Sequence, residues 1–195
     1  EAGDLIAKIY KNMCKSDYTL HRMDRVDAEL TKVGLNCSLT AKISMANTIG
    51  DIAIRLGGNP DKILNAIGSD DRIGNKYFKY GFGYGGPCFP RDNRAMIRSA
   101  LEVGIDAHMS KACDRTNRAH LMYQLDYFIT THSKNEPVII TDVTFKKGCP
   151  IIEESQQLEF AKGLAEMGYD VTIKECKEVI DQVKDLYGEL FKYEK

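Results

Sequence analysis

A long helical pattern limits what this chain of 195 residues can fold into more than any other feature. From about Met23 to Leu56, apolar residues recur every three to four positions, which is typical of an amphipathic helix. Gly34 and Gly50 lower the helix propensity without ending the pattern, and the run Gly57-Gly58-Asn59-Pro60 ends it. The apolar side of the predicted helix is large enough to pair with a second copy of the chain across a two-fold interface.

Shorter helical patterns surround this one in the first two thirds of the chain. Asn59 and Pro60 are a helix cap and a first helical residue, so a short helix is predicted to follow the long one. The other predicted helices cover residues 1–15, 60–67, 90–103 and 107–133. The sequence therefore predicts an all-helical architecture up to about residue 135.

The pattern changes at Pro137. The β-branched run Val138–Val143 predicts a buried strand. The remaining predicted elements are a helix over 153–167, a strand over Val171–Ile173 and a helix over 177–192. Strands that alternate with helices indicate a parallel sheet. The fold class expected is thus a central helical domain, residues 23–135, followed by a partial Rossmann-like parallel α/β domain, residues 136–195.

Composition and charge exclude several classes of function. The chain has 27 Lys and Arg against 28 Asp and Glu, a net charge of −1. This balance argues against a surface that binds nucleic acid or a charged membrane. No apolar run approaches the roughly 20 residues that a helix needs to cross a bilayer. We therefore expect no nucleic-acid partner and no membrane partner.

Cysteine and histidine placement argues against a metal site. The six cysteines are Cys14, Cys37, Cys88, Cys113, Cys149 and Cys176, and the four histidines are His21, His108, His120 and His132. No C-x-x-C occurs, and no histidine lies at ligand spacing from a cysteine, so zinc is not expected. Free thiols in a chain of this length indicate a reducing, cytoplasmic environment, with most thiols buried and at most one chemically active. The histidines are predicted to be surface or packing residues.

Residues 68–89 form a segment rich in glycine and aromatic residues. The glycines are Gly68, Gly74, Gly81, Gly83, Gly85 and Gly86, and the aromatics include Tyr77, Phe78, Tyr80, Phe82 and Tyr84. A loop this long without elements of its own is usually functional or disordered, and the aromatic content argues against disorder. We interpret the segment as a functional loop.

Cys88 is the candidate nucleophile of this loop. It lies two residues before Pro90, at the predicted start of a helix, where unpaired N–H groups favour the reactive thiolate. Arg91 and Asp92 follow in the first helical turn, and a carboxylate there can orient or deprotonate a water molecule. From position alone, the alternative is that Cys88 is a small packing residue after a turn.

The segment that contains Cys88 also carries a family resemblance. Residues 81–92 read GFGYGGPCFPRD and resemble the catalytic-cysteine motif of the UDP-glucose/GDP-mannose dehydrogenase family. Further segments are similar to the family in order and spacing: residues 28–32, Asn36, residues 42–47, Asp70–Gly74, Thr144–Lys146 and Glu154-Ser155. The resemblance covers nearly the whole chain and is strongest over residues 28–92.

The resemblance implies oxidation of the C6 alcohol of a nucleotide-sugar, first to the aldehyde and then to the carboxylate. Each of the two oxidations reduces one molecule of NAD. Cys88 would attack the intermediate aldehyde to form a thiohemiacetal, and oxidation would leave a thioester for water to hydrolyse. Lys32 and Asn36, which are four residues apart, match the pair that stabilises the oxyanion and holds the water. Asp92 matches the carboxylate that assists proton transfer. From spacing alone, Lys32 and Asn36 would be a solvated helix face.

The resemblance also implies binding residues. Those matched to the substrate loop are Lys79, Tyr80, Gly81, Phe82, Tyr84 and Gly85. Arg72 matches an arginine supplied across the dimer interface, and Lys146 matches a lysine that reaches the substrate from the C-terminal domain. Arg91 lies where the family has a basic residue close to the cofactor. Without the resemblance, these residues are an aromatic packing cluster and surface charges.

Two departures from the family pattern stand out. Glu153 occupies the place of a family arginine, a charge reversal that affects an expected cofactor or substrate contact. No G-x-G-x-x-G follows a predicted strand, although the family carries an N-terminal Rossmann domain with that motif. Residues 1–22 resemble only the last helix and exit of such a domain. We therefore expect a fragment that forms no NADH from UDP-glucose and NAD alone.

Several functions stay open at this stage. UDP-glucose is the first expectation for the substrate, because Phe89 follows the cysteine; GDP-mannose is the alternative, and UDP-N-acetyl-hexosamines come third. A hypothesis of another class is a homodimeric module that binds a nucleotide-sugar without catalysis. An unrelated helical domain with an accidental loop is the remaining interpretation.

Overall fold

A computed structural model describes residues 2–195 of the chain. The helices are α1 (Ala2–Met13), α2 (Arg25–Arg55), α3 (Pro60–Gly68), α4 (Phe89–Glu102), α5 (His108–Thr131), α6 (Gln156–Glu166) and α7 (Lys177–Tyr187). The strands are β1 (Val138–Thr141), β2 (Val171–Lys174) and β3 (Lys192–Glu194). By their contacts the residues form two units, one ending at Lys32 and one covering Val33–Lys195. The predicted division at residues 22 and 135 stays a prediction.

The unit that ends at Lys32 contains α1 and the beginning of α2. Leu5, Ile9 and Met13 lie on α1 as the apolar spacing predicts, but all three side chains are exposed. Arg22 donates a hydrogen bond to the Asp4 carboxylate at 2.5 Å and so joins the segment after α1 back to that helix.

The helices of the larger unit begin and end where their capping residues predict. α2 ends within one residue of the predicted position, and Gly57 follows it with φ of 76°, a conformation that favours glycine. The Asn59 side chain accepts a hydrogen bond from the Lys62 N–H at 3.0 Å, as expected of an N-cap. The helical interpretation of this part of the chain is therefore confirmed.

The α/β part of the unit is a three-stranded parallel sheet in the order β1-β2-β3. Val138 pairs with Val171, and Thr172 pairs with Lys192. Its hydrophobic core joins β2 to α6, α7 and the end of α5; the members with at most 2% exposure are Val143, Ala161, Leu164, Val171, Ile173, Val179 and Val183. Because Leu125 of α5 belongs to the same core, the last helix before Pro137 is packed with the sheet that follows it.

The predicted helix over residues 177–192 is wrong after Tyr187. α7 ends at Tyr187, Gly188 has a positive φ of 54°, and a short 3₁₀ turn leads into β3. Phe191 is buried and anchors the new strand, which pairs in parallel with β2. The order is therefore β-α-β-α-β, one strand more than the β-α-β-α order of the prediction. Three residues are too few to show the two-residue period that indicates a strand.

The prediction that most thiols are buried is also wrong. Only Cys113 is buried, Cys37 and Cys149 are half-buried, and the exposed cysteines are Cys14, Cys88 and Cys176. Among residues 2–195, no group of three His, Cys, Asp or Glu side chains is placed to hold a metal ion. Within the same residues, no helix has both the length and the apolar character of a membrane span.

The two interior glycines of α2 are expected to respond in opposite directions to alanine. A Cβ on Gly34 would meet no atom within 4 Å, so Gly34→Ala should raise the free energy of unfolding by about 0.5–1 kcal/mol. A Cβ on Gly50 would overlap the Tyr80 ring, so Gly50→Ala should lower the free energy of unfolding by about 1–3 kcal/mol. Urea unfolding followed by circular dichroism measures both. Equal effects of the two variants would contradict the packing of Tyr80 on α2.

Candidate active site

Cys88 is the N-cap residue of α4. Its thiol is exposed, and its side chain makes no capping hydrogen bond, while its carbonyl accepts the first helical bond from the Asp92 N–H at 2.9 Å. The thiol opens into a cavity of about 450 Å³; the lining residues include Tyr84, Gly85, Phe89, Phe145 and Lys146. The arrangement presents a nucleophile at the positive end of a helix, in a space that a ligand can enter.

Asp92 lies one helical turn after Cys88 and is buried, with 3% of its surface exposed. The Asn36 Nδ2 donates to its Oδ2 at 2.6 Å, and the Arg91 Nε lies 3.3 Å from its Oδ1. A buried carboxylate needs such donors, because removal from water otherwise penalises its charged form. The structure thus brings together three predicted site residues from α2 and α4. Lys32 precedes Asn36 by four residues in α2 and is the last residue of the N-terminal unit.

A second cavity, of about 560 Å³, shares part of its lining with the first. It is lined by four of the predicted substrate residues, Lys79, Tyr80, Gly81 and Phe82. Ile43, Tyr77 and Gly83 line both cavities. The predicted binding residues are therefore divided between two adjoining spaces, with Tyr84, Gly85 and Lys146 on the side of Cys88.

Side chains of α5 hold the loop at Tyr84. The Asn117 amide accepts from the Tyr84 N–H at 2.9 Å and donates to the Tyr84 carbonyl at 2.8 Å. The Tyr84 hydroxyl donates to Asp114 at 2.7 Å. Burial, and then the hydrogen bond to Asp114, raise the pKa of Tyr84, so its hydroxyl stays protonated as a donor. These contacts place the backbone that leads into Cys88.

Gly85 and Gly86 allow the segment after β1 to lie against the cysteine loop. A Cβ on Gly85 would overlap the Glu154 carbonyl oxygen, and one on Gly86, which has φ of 79°, would overlap the Phe145 ring. The Gly86 N–H donates to the carbonyl of Glu153 at 2.9 Å. At the site of the predicted charge reversal, it is therefore the Glu153 backbone that contacts the loop.

Two predicted binding residues lie apart from both cavities. The Arg72 guanidinium donates to the Asp70 carboxylate at 2.9 and 2.6 Å, and its side chain is 88% exposed. The Arg91 side chain is 61% exposed at the start of α4. Neither lines the cavities described above, so the ligand contacts expected of them stay predictions.

Several residues that shape the loop have no recognisable spacing in the sequence. Tyr77 has φ of 60°, rare for an aromatic residue, and its exposed ring lies 6.2 Å from that of Phe89. Asn47 accepts from the Gly81 N–H at 3.1 Å, and His120, predicted to be a surface or packing residue, is buried beside the same glycine. Neither the backbone conformation of a single residue nor a contact between residues 34 positions apart produces a local sequence pattern, so the sequence could not indicate these residues.

Comparisons with known proteins agree on one family. Residues 26–119 match the family model for the UDP-glucose/GDP-mannose dehydrogenase central domain. The chain is 28% identical over 172 residues to the UDP-glucose 6-dehydrogenase of Bacillus subtilis, a match that covers 84% of the chain. It is 30% identical over 175 residues to the GDP-mannose 6-dehydrogenase of Pseudomonas aeruginosa, covering 89%.

A solved structure gives the same answer for the fold. The structure of a UDP-glucose dehydrogenase from the archaeon Pyrobaculum islandicum superposes with a TM-score of 0.87 and 31% identity, over all of this chain and 44% of that one. The chain belongs to the UDP-glucose/GDP-mannose dehydrogenase family. It spans 37% of the length of the Bacillus subtilis relative and 39% of the Pseudomonas aeruginosa relative.

The family match contains the centre of the site. Asn36, Cys88 and Asp92 fall inside residues 26–119, and Lys146 falls in the remainder that the superposed structure covers. The expected fold, helical followed by parallel α/β, is confirmed by that superposition. The roles of these residues are not decided by similarity and rest on their chemistry.

The thiols are expected to separate by reactivity. Burial raises the pKa of both Cys37 and Cys113, so their thiolate fraction at neutral pH falls below that of an ordinary cysteine. Iodoacetamide at neutral pH should therefore modify Cys88 at least about tenfold faster than either, as peptide mass spectrometry would show. Cys176 is the matched control, because it is also exposed and is also the N-cap residue of a helix, α7. Equal rates at Cys88 and Cys113 would contradict the placement of Cys88 as an accessible nucleophile.

Proposed function

We propose that this chain provides the substrate-binding and thiol-bearing part of an NAD-dependent UDP-glucose 6-dehydrogenase. The proposed reaction oxidises the C6 alcohol of UDP-glucose to the carboxylate of UDP-glucuronate in two steps. The observation that supports it best is the exposed Cys88 thiol at the start of α4, one turn from the buried Asp92 carboxylate.

Cys88 is proposed to act on the aldehyde that the first oxidation forms. Its sulfur forms a bond to C6, and a proton passes to the former aldehyde oxygen, which gives a thiohemiacetal. Oxidation of that adduct leaves a thioester on Cys88. Water then attacks C6, the C–S bond breaks, and the thiolate leaves as the carboxylate forms.

Asp92, Asn36 and Lys32 are proposed to serve these steps. The Asp92 carboxylate is positioned by Asn36 and can take a proton from the attacking water. Asn36 uses one amide hydrogen on Asp92 and can present its other amide hydrogen to a developing oxyanion. The ammonium of Lys32 would stabilise the same negative charge, as the family resemblance implies.

The cofactor proposed is NAD. Arg91 fits a cofactor that carries phosphates, because its guanidinium is largely exposed beside the turn that holds Cys88. NAD, when bound, supplies the hydride acceptor for both oxidations.

The nucleotide-sugar is proposed to occupy the two adjoining cavities. Lys79 lines one cavity and Lys146 the other, so each offers an ammonium to the diphosphate or the sugar. GDP-mannose is the second candidate, because the GDP-mannose 6-dehydrogenase relative is as similar to this chain as the UDP-glucose relative.

This chain is also proposed to form a homodimer through α2. Several apolar residues on α2 have exposed side chains: Val26, Leu30, Leu35, Met45 and Ile52. A second copy of the same helix would cover such a surface. Sedimentation equilibrium measures this directly, and a monomer at micromolar concentration would contradict it.

Titration calorimetry with UDP-glucose, GDP-mannose and UDP-N-acetylglucosamine tests the proposed substrate. UDP-glucose is expected to bind most tightly, and Lys79→Met should weaken it by about tenfold, since a hydrogen bond to a charged group is lost. Lys177→Met, which changes an exposed residue at the start of α7, is the matched control and should bind as the wild type does. Preference for GDP-mannose would favour the second candidate, and absence of binding by all three would overturn the proposal.

A further inference from the structure

Polar side chains from two helices hold the backbone of the loop at Gly81. The Asn47 Oδ1 of α2 accepts from the Gly81 N–H at 3.1 Å. From α5, the His120 Nε2 lies 2.7 Å from the Gly81 carbonyl, and Gln124 donates to the same oxygen at 3.4 Å. Gly81 lines the larger cavity, so these contacts set the position of a wall of the proposed ligand site.

Both ring nitrogens of His120 face hydrogen-bond acceptors. Opposite the Gly81 carbonyl, Nδ1 lies 2.8 Å from Oδ2 and 3.0 Å from Oδ1 of Asp51. A carbonyl accepts and never donates, so Nε2 must carry a hydrogen. A carboxylate also only accepts, so a second hydrogen must lie between Nδ1 and Asp51. A neutral imidazole beside a carboxylate has one hydrogen too few for these two contacts.

Tyr80 does not supply the missing hydrogen to the His120 ring. Its hydroxyl donates to the Asp51 Oδ1 at 2.9 Å. Burial, followed by the hydrogen bond to Asp51, raises the pKa of Tyr80, so the hydroxyl keeps its proton in that role. Asp51 thus accepts from Tyr80 and also faces the Nδ1 of His120, whose side chain is 1% exposed.

The other charged and titratable groups near the pair lie on α2 and α5. Arg55 of α2 is exposed, pairs with Asp126 at 2.9 Å, and has its guanidinium 5.2 Å from the centre of the Tyr123 ring. Tyr123 and Tyr127 of α5 stack on each other near Tyr80, which donates to Asp51. Among the described residues, the His120 ring makes hydrogen-bond contacts with the Asp51 carboxylate and the Gly81 carbonyl.

We propose that His120 is a positioning residue for the ligand loop, and that a proton shared with Asp51 holds the Gly81 carbonyl in place. When that proton is lost, the hydrogen that remains on the ring goes to the charged acceptor, Asp51. The bare Nε2 lone pair then faces the Gly81 oxygen at 2.7 Å, and the repulsion moves the loop away from α5. Binding at the loop therefore weakens as the pH rises.

The variant Asp51→Asn isolates the shared proton. An asparagine amide can donate to the His120 Nδ1 and still accept from the Tyr80 hydroxyl, so a neutral ring satisfies every contact without the shared proton. His120→Ala removes the contact to Gly81 altogether. Asp126→Asn, the control, changes an exposed carboxylate of the same neighbourhood that does not touch the ring.

The experiment follows UDP-glucose affinity and amide exchange of Gly81 between about pH 6 and about pH 9. The choice of ligand rests on the proposed function, whereas exchange, corrected for its intrinsic pH dependence, needs no ligand. In the wild type and in Asp126→Asn, affinity should fall and exchange should rise, each by about tenfold, as the pH increases. In Asp51→Asn, both the affinity and the exchange rate should stay at the values of the wild type at low pH over the whole range. In His120→Ala, both should resemble those of the wild type at high pH.

The outcomes separate the two proposals. If no variant binds UDP-glucose but the exchange pattern holds, the proposed substrate is wrong and the role of His120 stands. If Asp51→Asn keeps the wild-type pH dependence of exchange, or His120→Ala exchanges as the wild type does at low pH, the shared proton does not position the loop and the inference is overturned.

Discussion

Replacing Cys88 with serine is expected to abolish covalent capture of the C6 aldehyde of UDP-glucose. Aldehyde addition needs a nucleophile but no redox cofactor, so the chain itself can be tested with the synthetic C6-aldehyde of UDP-glucose. The wild type should form a thiohemiacetal at Cys88, because the thiol is exposed in a cavity at the start of α4. A serine hydroxyl at the same place is far less acidic and less nucleophilic. Because the thiohemiacetal forms reversibly, its formation is measured by the protection of Cys88 from iodoacetamide in peptide mass spectrometry, and by ¹³C NMR of the aldehyde labelled at C6, which also reports on the serine variant.

Cys176→Ser is the matched control for this experiment. Cys176 is exposed and precedes α7, so it shares the position of Cys88 at the beginning of a helix but not its cavity. This variant should capture the aldehyde at Cys88 as the wild type does. Equal protection of Cys88 and Cys176 from iodoacetamide by the aldehyde in the wild type would show that the cavity around Cys88 contributes nothing to the capture.

Replacing Asp92 with asparagine is expected to slow hydrolysis of a thioester on Cys88 by about 10²–10⁴-fold. p-Nitrophenyl acetate can acetylate the thiol without any cofactor, after which water must remove the acetyl group. Asn36 can still bond an amide oxygen at position 92, so the fold should persist, but an amide cannot accept the proton of the water. Peptide mass spectrometry over time measures the loss of acetyl from Cys88.

Asp61→Asn provides the comparison for Asp92→Asn, because Asp61 is an exposed carboxylate in the first turn of α3. It should deacetylate at the wild-type rate. If Asp92→Asn also deacetylates at that rate, Asp92 is a buried structural carboxylate and the proposed role in activating water is wrong.

Most of the helical part could be predicted because its signals are local. The three-to-four residue period over α2, the glycines that end it and the Asn59-Pro60 start of α3 each act within a few residues. β3 could not be predicted in this way, since its three residues become a strand only by pairing with β2. The prediction that most thiols are buried failed for a similar reason. Cysteines are often buried in general, but the sequence does not show which of them a neighbouring element will cover.

The candidate site likewise has a part that local sequence signals predict and a part that depends on long-range contacts. The sequence by itself determined that a cysteine would stand at the start of a helix with a carboxylate one turn later, since both follow from the local start of α4. Only the tertiary structure decided what surrounds them. Asn36 reaches Asp92 across 56 residues, and Asp51 reaches His120 across 69. Such pairs form because buried polar groups must find partners when α2, α4 and α5 fold together, and local spacing does not indicate which partners will meet.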